Sequence, residues 1–199
     1  MNKVIRDLVL PEELTLSDSE LSARLGHKAR ARDEKIQAVC RELFDAADIK
    51  FVAARLSLEK SNAGVRFAGI SVKSEALSQY FCDSSEAYLF ILTLGAGVDR
   101  LIMKKKARSV SDGFIYDAVA SAIVEAACDA AEKKICGEKK TKNRFSPGYS
   151  DCPLAVQLHV LELLSADKYI GVKLLDSMLM SPMKSVSAFI AILPEGESL

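Results

Sequence analysis

The sequence has no charge excess of either sign, because its 27 basic and 27 acidic residues cancel. Nucleic acid and anionic bilayers reward a basic protein face, so neither is indicated as the main partner. No apolar run approaches the roughly 18 residues that a membrane span requires. The opening residues, MNKVIRDLVLPEE, hold too short an apolar segment and too many acids for a secretory signal. Histidine is scarce: His27 and His159 each stand alone, without the orienting partner a catalytic base needs. The five cysteines, Cys40, Cys82, Cys128, Cys136 and Cys152, form no CxxC pair and have no histidine at zinc-ligand spacing. They read as reduced packing thiols of a cytoplasmic protein. No Ser-His-Asp or Cys-His set supports nucleophilic catalysis.

What is present is core material. With 49% hydrophobic residues, the 199-residue chain is expected to fold as one domain over residues 1–199. Ser17-Asp18-Ser19-Glu20 is a capping-box pattern that opens a short helix ending at Gly26. Ile36, Val39, Cys40, Leu43, Phe44 and Ala47 recur at helical spacing, which predicts a helix over about 33–47. Strands are predicted at Ile49–Leu58 and Val65–Val72, with Asn62 and Gly64 in the turn between them, and a helix at Ser74–Phe81. AYLFILTL (Ala87–Leu94) is apolar throughout and predicts a strand buried on both faces. Gly95-Ala96-Gly97 then launches a helix ending in the run Lys104-Lys105-Lys106-Ala107-Arg108, cations suited to a helix C-terminus. Ser111 or Asp112 is expected to cap the longest helix, about 113–135, which a polar loop, GEKKTKN, follows. A helix at Leu154–Ser165 and strands near Val172–Leu175 and Ser185–Ile192 complete the chain. Strands fall in pairs between helices, which predicts an α+β fold: a largely antiparallel twisted sheet flanked by helices.

Two segments suggest a phosphate or carboxylate site only weakly. TLGAGVDR (Thr93–Arg100) has GxG but lacks the third glycine and the later acid of a dinucleotide site, so a tight strand-to-helix turn is the better reading. The long helix offers Asp117, Glu125, Asp129 and Glu132; Asp117, Glu125 and Asp129 can share a face that is mostly alanine. A solvated face and a ligand-facing one both fit that pattern.

NRFSPGYSDCP (Asn143–Pro153) is more specific. Pro147 stiffens the backbone and extends Ser146, while Gly148 can take angles closed to other residues. Arg144 brings a permanent cation suited to a carboxylate, and Tyr149 a flat ring with a hydroxyl. Such a loop suits a zwitterion with a carboxylate at one end and a planar ring at the other; a rigid connector is the alternative. Pro153 suits the first turn of the next helix.

The segment Arg144–Pro153 resembles the RxxPGYxxCP signature of the activation domain of cobalamin-dependent methionine synthase, which binds S-adenosylmethionine and reductively remethylates the cofactor. The resemblance runs on through ELL (Glu162–Leu164), GVKL (Gly171–Leu174) and MSPMKSVSA (Met180–Ala188). Upstream it takes in LTLGAG (Leu92–Gly97) and AVASAIVEAACDAAEKKI (Ala118–Ile135), so it is strongest over 85–193. It implies the family's activation-domain-like fold. It further implies that Arg144 pairs with the carboxylate of S-adenosylmethionine. Backbone groups of Ser146, Gly148 and Tyr149 would hold its adenine and methionine parts, with Glu125 and Asp129 near the methionine end or the corrinoid-facing surface. It gives no counterpart for an amino-terminal acid and a late tyrosine that contact the ligand in the family. The implied role is a stand-alone reactivation subunit in methionine biosynthesis, with vitamin B12 on the partner protein and a flavodoxin- or ferredoxin-like electron donor. The chemistry of this methyltransferase-type step is then carried by the cofactors. A non-catalytic adaptor or chaperone for another corrinoid protein, or a small-molecule sensor, remains an alternative.

Overall fold

An apolar strand with no polar face has to be covered on both sides, and Ala87–Leu94 organises the molecule on that account. In the computed structural model, residues 4–26, 28–61 and 64–194 are described; His27, Asn62 and Met1–Lys3 of the opening segment lie outside them. Along the chain come β1 (Val4–Leu8), a 3-10 turn (Pro11–Glu13), α1 (Asp18–Leu25), α2 (Glu34–Ala46) and β2 (Lys50–Ser57). There follow β3 (Glu59–Ser61), β4 (Gly64–Phe67), β5 (Ile70–Val72), α3 (Glu75–Tyr80) and β6 (Glu86–Thr93). The rest is α4 (Ala96–Arg108), α5 (Val110–Cys136), α6 (Val156–Leu164), α7 (Ala166–Ile170), β7 (Lys173–Leu174), β8 (Met180–Ser181) and β9 (Ser185–Ile192).

The main sheet has the order β1-β2-β6-β9 and is antiparallel throughout. Strand β6 sits inside it, with Phe90 opposite Ala53 of β2 and Ala188 of β9. Period-two alternation sends Tyr88, Phe90 and Leu92 to a core shared with α1, α2, α4 and α5. Ala87, Leu89 and Ile91 face the other way, into a core formed with β4, β5, α3, α6 and α7. The α+β expectation holds, and with it the doubly buried reading of this strand.

Local signals place most boundaries. Ser17 Oγ accepts the Glu20 N–H at 3.3 Å, and Gly26 closes α1 at φ 70°. Gly97 allows a close approach: a Cβ there would fall 2.0 Å from the Ala46 carbonyl oxygen, so Gly95-Ala96-Gly97 is the tight strand-to-helix turn expected of it. The lysine run forms the last turn of α4.

Four readings are corrected. The long helix begins at Val110, and Ser109, not Ser111 or Asp112, caps it by accepting the Asp112 N–H at 3.2 Å. The segment 65–72 is not one strand, because Ala68 and Gly69 both take positive φ and fold it into the β4–β5 hairpin. The helix expected from Leu154 begins at Val156 with Ala155 as its cap, so Pro153 lies outside its first turn; it ends before Ser165 as expected, and that residue's φ of 49° separates α6 from α7. The polar loop after α5 is a broken fifth strand: Lys142 N–H donates to the Ala191 carbonyl at 3.1 Å, and Phe145 and Phe189 exchange bonds of 2.9 and 2.8 Å.

Candidate ligand cleft beside the 143–153 loop

The cleft is built on one stripe of α5. Glu125, Asp129 and Glu132 are spaced four and three residues apart, so their carboxylates rise from one helix face. The broken edge strand carries Arg144 onto that stripe. Its Nη1 donates to Asp129 at 2.6 Å and to Glu132 at 3.0 Å, and its Nη2 donates to Glu125 at 3.1 Å. Arg24 of α1 lies 3.7 Å from the other oxygen of Glu125. The Arg144 guanidinium is mostly covered. Burial works against its charge, but the Cys128 sulfur, the Asp129 hydrogen bond and the charges of Asp129 and Glu132 outweigh it, and the net shift of its pKa is upward.

The loop beyond Arg144 is rigid for reasons the sequence shows only in part. Tyr149 N–H donates to the Ser146 carbonyl at 3.2 Å, Cys152 N–H to Tyr149 at 2.9 Å, and Gly148 N–H to Cys152 at 3.0 Å. Gly148 takes φ 90°, which favours glycine. The amides of Gly148 and Tyr149 are therefore used inside the loop and not presented outward. Ser146 N–H and the Gly148 carbonyl have no protein partner among the described residues. Tyr149 leaves 67% of its surface exposed, with its ring 6.1 Å from that of Phe145.

Two residues that hold the loop had no local signal. Asp151 accepts from Ser74 Oγ at 2.7 Å and from the Ala76 and Glu75 amides at 3.1 and 2.6 Å, which pins the loop to the start of α3. The hydrogen bond from Ser74, with those from the amides, holds its pKa below the usual aspartate value. Tyr80 of α3 fills the gap in the broken edge strand: its hydroxyl accepts Ala191 N–H at 3.0 Å and donates to the Asn143 carbonyl at 2.8 Å. Burial pushes that phenol up to about 12.

Between α5 and the loop lies a cleft of about 580 Å³, a size that takes small ligands. Glu125, Asp129, Glu132, Arg144, Ser146 and Tyr149 line it, and Cys136, Asn143 and Val186 join them. Of the six residues that the resemblance assigns to the ligand only Gly148 is absent from that lining. Glu132 was legible as the next step of the Glu125–Asp129 stripe. Asp117 serves elsewhere, pairing with Lys184 at 2.9 Å. His159 is on α6 and does not line the cleft, with Glu162 3.7 Å from its Nδ1. Cys152 is a packing thiol, 2% exposed, and burial raises its pKa. Among the described residues no group of three or more His, Cys, Asp or Glu could hold a metal ion. No helix among them is long and apolar enough to cross a membrane.

Three carboxylates around one guanidinium leave the cleft attractive to a cation while keeping an arginine edge for an anion. An antiparallel sheet covered on both faces, with an arginine–carboxylate cleft at its edge, defines the class: an α+β domain with a charged cleft at one sheet edge. The family model described as vitamin B12 dependent methionine synthase, activation domain, matches residues 51–198, and the chain belongs to that family. The match starts at β2, well before the stretch in which the resemblance is strongest. Among solved structures, the crystal structure of the MetH reactivation domain bound to AdoHcy aligns with a TM-score of 0.68 at 16% identity, over 100% of this chain and 81% of that one. At that identity the agreement concerns the fold. No curated protein matches the sequence.

Proposed function

We propose that the chain is a reactivation subunit that acts on a separate cobalamin-dependent methionine synthase in the cytoplasm. Its cleft binds S-adenosylmethionine and holds the methyl group toward the cob(II)alamin of the partner, while a flavodoxin- or ferredoxin-like protein supplies the electron. The observation that carries this reading is the cluster of Arg144 with Glu125, Asp129 and Glu132, set in an activation-domain fold. The residues fit the ligand's charges. A sulfonium and an ammonium meet carboxylates, of which Asp129 and Glu125 are 64% and 40% exposed in their side chains. A guanidinium has five N–H donors, and the three contacts made here leave Nε–H and one Nη2–H of Arg144 for the ligand's carboxylate. Tyr149 offers a face to adenine, and Ser146 N–H a donor. When bound, S-adenosylmethionine supplies the methyl group; the chain supplies position, and no side chain need act as acid or base.

Calorimetry tests the assignment. Arg144→Ala is expected to weaken S-adenosylmethionine binding by roughly 1.5–3 kcal/mol, the range for hydrogen bonds to a charged group. An unchanged affinity in a folded variant removes Arg144 from the site. Growth of the methylcobalamin absorbance in a mixture of the chain, a cob(II)alamin-loaded methionine synthase module, the ligand and a reductant tests the activity. One observation favours a second reading, a non-catalytic adaptor or chaperone for another corrinoid protein: Arg144 and two loop amides already have partners within the chain. Corrinoid-protein binding that persists without any affinity for S-adenosylmethionine would select it.

A further inference from the structure

The cleft has a neighbour on α1, a helix that lies before the residues 51–198 matched by the family model. Leu21 and Leu25 bury one face of α1 in the core shared with α5, and Glu20 and Arg24, each one residue earlier, run beside that face. Arg24 Nε donates to Glu20 Oε1 at 2.5 Å, and its Nη2 stands 3.7 Å from Glu125 Oε1. The second distance is too long for a hydrogen bond, so Arg24 acts on Glu125 through charge alone. Glu125 therefore has a guanidinium at each oxygen, Arg144 at Oε2 and Arg24 at Oε1. Asp129 has one, Arg144 at Oδ1, and its side chain is 64% exposed against 40% for Glu125 and 23% for Glu132. Lys133 and Lys139, the other cations that line the cleft, pair with no carboxylate among the described residues.

We infer that Arg24 is a positioning residue for the ligand's sulfur: it offsets the charge of Glu125 and leaves Asp129 as the carboxylate that meets a sulfonium. The inference rests on the reading of the cleft as an S-adenosylmethionine site, and adds which acid makes the discrimination. A carboxylate held between two guanidiniums has most of its charge offset and attracts a further cation weakly. One that is exposed and paired at a single oxygen keeps the other for the ligand. Arg24 also repels a positive group near Glu125, which directs the charged sulfur along α5 toward Asp129, one turn on. A thioether carries no charge and feels neither effect. The ligand's ammonium is common to sulfonium and thioether forms and cancels between them. Arg24 thus acts on the choice between the two forms, not on the hold over the adenosine part.

The test is calorimetry of the full chain with S-adenosylmethionine and with S-adenosylhomocysteine, read as the ratio of the two dissociation constants. In the wild-type background Asp129→Asn is expected to lower the preference for the sulfonium roughly fivefold, and Glu125→Gln less than about twofold. Arg24→Gln should raise that preference roughly two- to fivefold, and by less at high salt. Adding Glu125→Gln to Arg24→Gln should remove the gain, and Arg24→Lys, which keeps the charge, should retain the wild-type ratio. A purely structural role of Arg24 would weaken both ligands alike and leave the ratio unmoved, and that result overturns the inference. So does an effect of Glu125→Gln equal to or larger than that of Asp129→Asn, a comparison that needs no change at Arg24. Failure of the underlying reading looks different: neither ligand then binds the wild-type chain, and the assignment falls with it.

Discussion

Arg144 is the residue on which the cleft turns, and its surroundings set the sign of what the cleft prefers. On the proposed binding of S-adenosylmethionine, removing the positive charge of the ligand's sulfur, as in S-adenosylhomocysteine, should cost affinity, because Glu125, Asp129 and Glu132 make the cleft acidic around Arg144. Each exposed carboxylate contributes at most about 1 kcal/mol to that preference. Glu125→Gln with Asp129→Asn is therefore expected to shrink the preference for S-adenosylmethionine over S-adenosylhomocysteine by roughly tenfold, read from the two dissociation constants. Equal preference before and after would show that these acids serve Arg144 alone. Tyr80 is the second residue with a legible energetic role. Tyr80→Phe strands the Ala191 amide and the Asn143 carbonyl, so a loss of about 1–3 kcal/mol is expected in denaturant unfolding. Its raised pKa adds a pH signature. Stability from the protonated phenol is complete below the unfolded value near 10 and is lost as pH rises through about 12. Tyr80→Phe should lack that alkaline step. Arg144 was visible in the sequence because its motif is contiguous, whereas Tyr80 meets Asn143 and Ala191 from 63 and 111 residues away.

At the scale of elements, local chemistry was legible and long-range chemistry was not. Ser17 and Gly26 bound α1 as their types dictate, and the Gly95–Gly97 turn lies where its glycines are. The start of α5 was misplaced because Ser109, Ser111 and Asp112 are all competent caps within four residues, and packing against α4 selects among them. Strand β1 and the broken edge strand were missed because each is short and gains its stability from a neighbour, β2 or β9. The joint between the 143–153 loop and α3 belongs here too, since Asp151 joins the helix cap across 77 residues. Its folded pKa is depressed, so the contribution of the ionised form is present above the ordinary aspartate value near 3.9 and is lost as pH falls through the lower folded one. Asp151→Asn should lower the thermal midpoint at neutral pH, and the gap to wild type should close as pH drops below about 4. A gap that stays constant with pH would assign the effect to geometry, not charge.

For the molecule as a whole, the question is whether the two cores on either side of the main sheet unfold together. The doubly buried character of β6 was plain in its sequence, and it implies that neither layer of the fold is complete without the strand they share. Phe189 on β9 is the sharpest test. It is fully buried, it meets Phe67 at 5.2 Å and Phe81 at 5.8 Å on the α3 side, and its backbone pairs with Phe145 of the 143–153 loop. Phe189→Ala is expected to cost about 3–5 kcal/mol, the range for emptying a packed aromatic site. If residues 1–199 act as one cooperative unit, helix circular dichroism, dominated by α5 in the opposite core, should lose its signal at the same denaturant concentration as tyrosine near-ultraviolet signals. Both midpoints should then fall together in the variant. A helical signal that outlasts the tyrosine signal would mean that the α1, α2, α4 and α5 layer holds without the other. The cleft would then lose its loop wall, with Arg144 and Tyr149, before its α5 wall, and ligand affinity would disappear ahead of global unfolding.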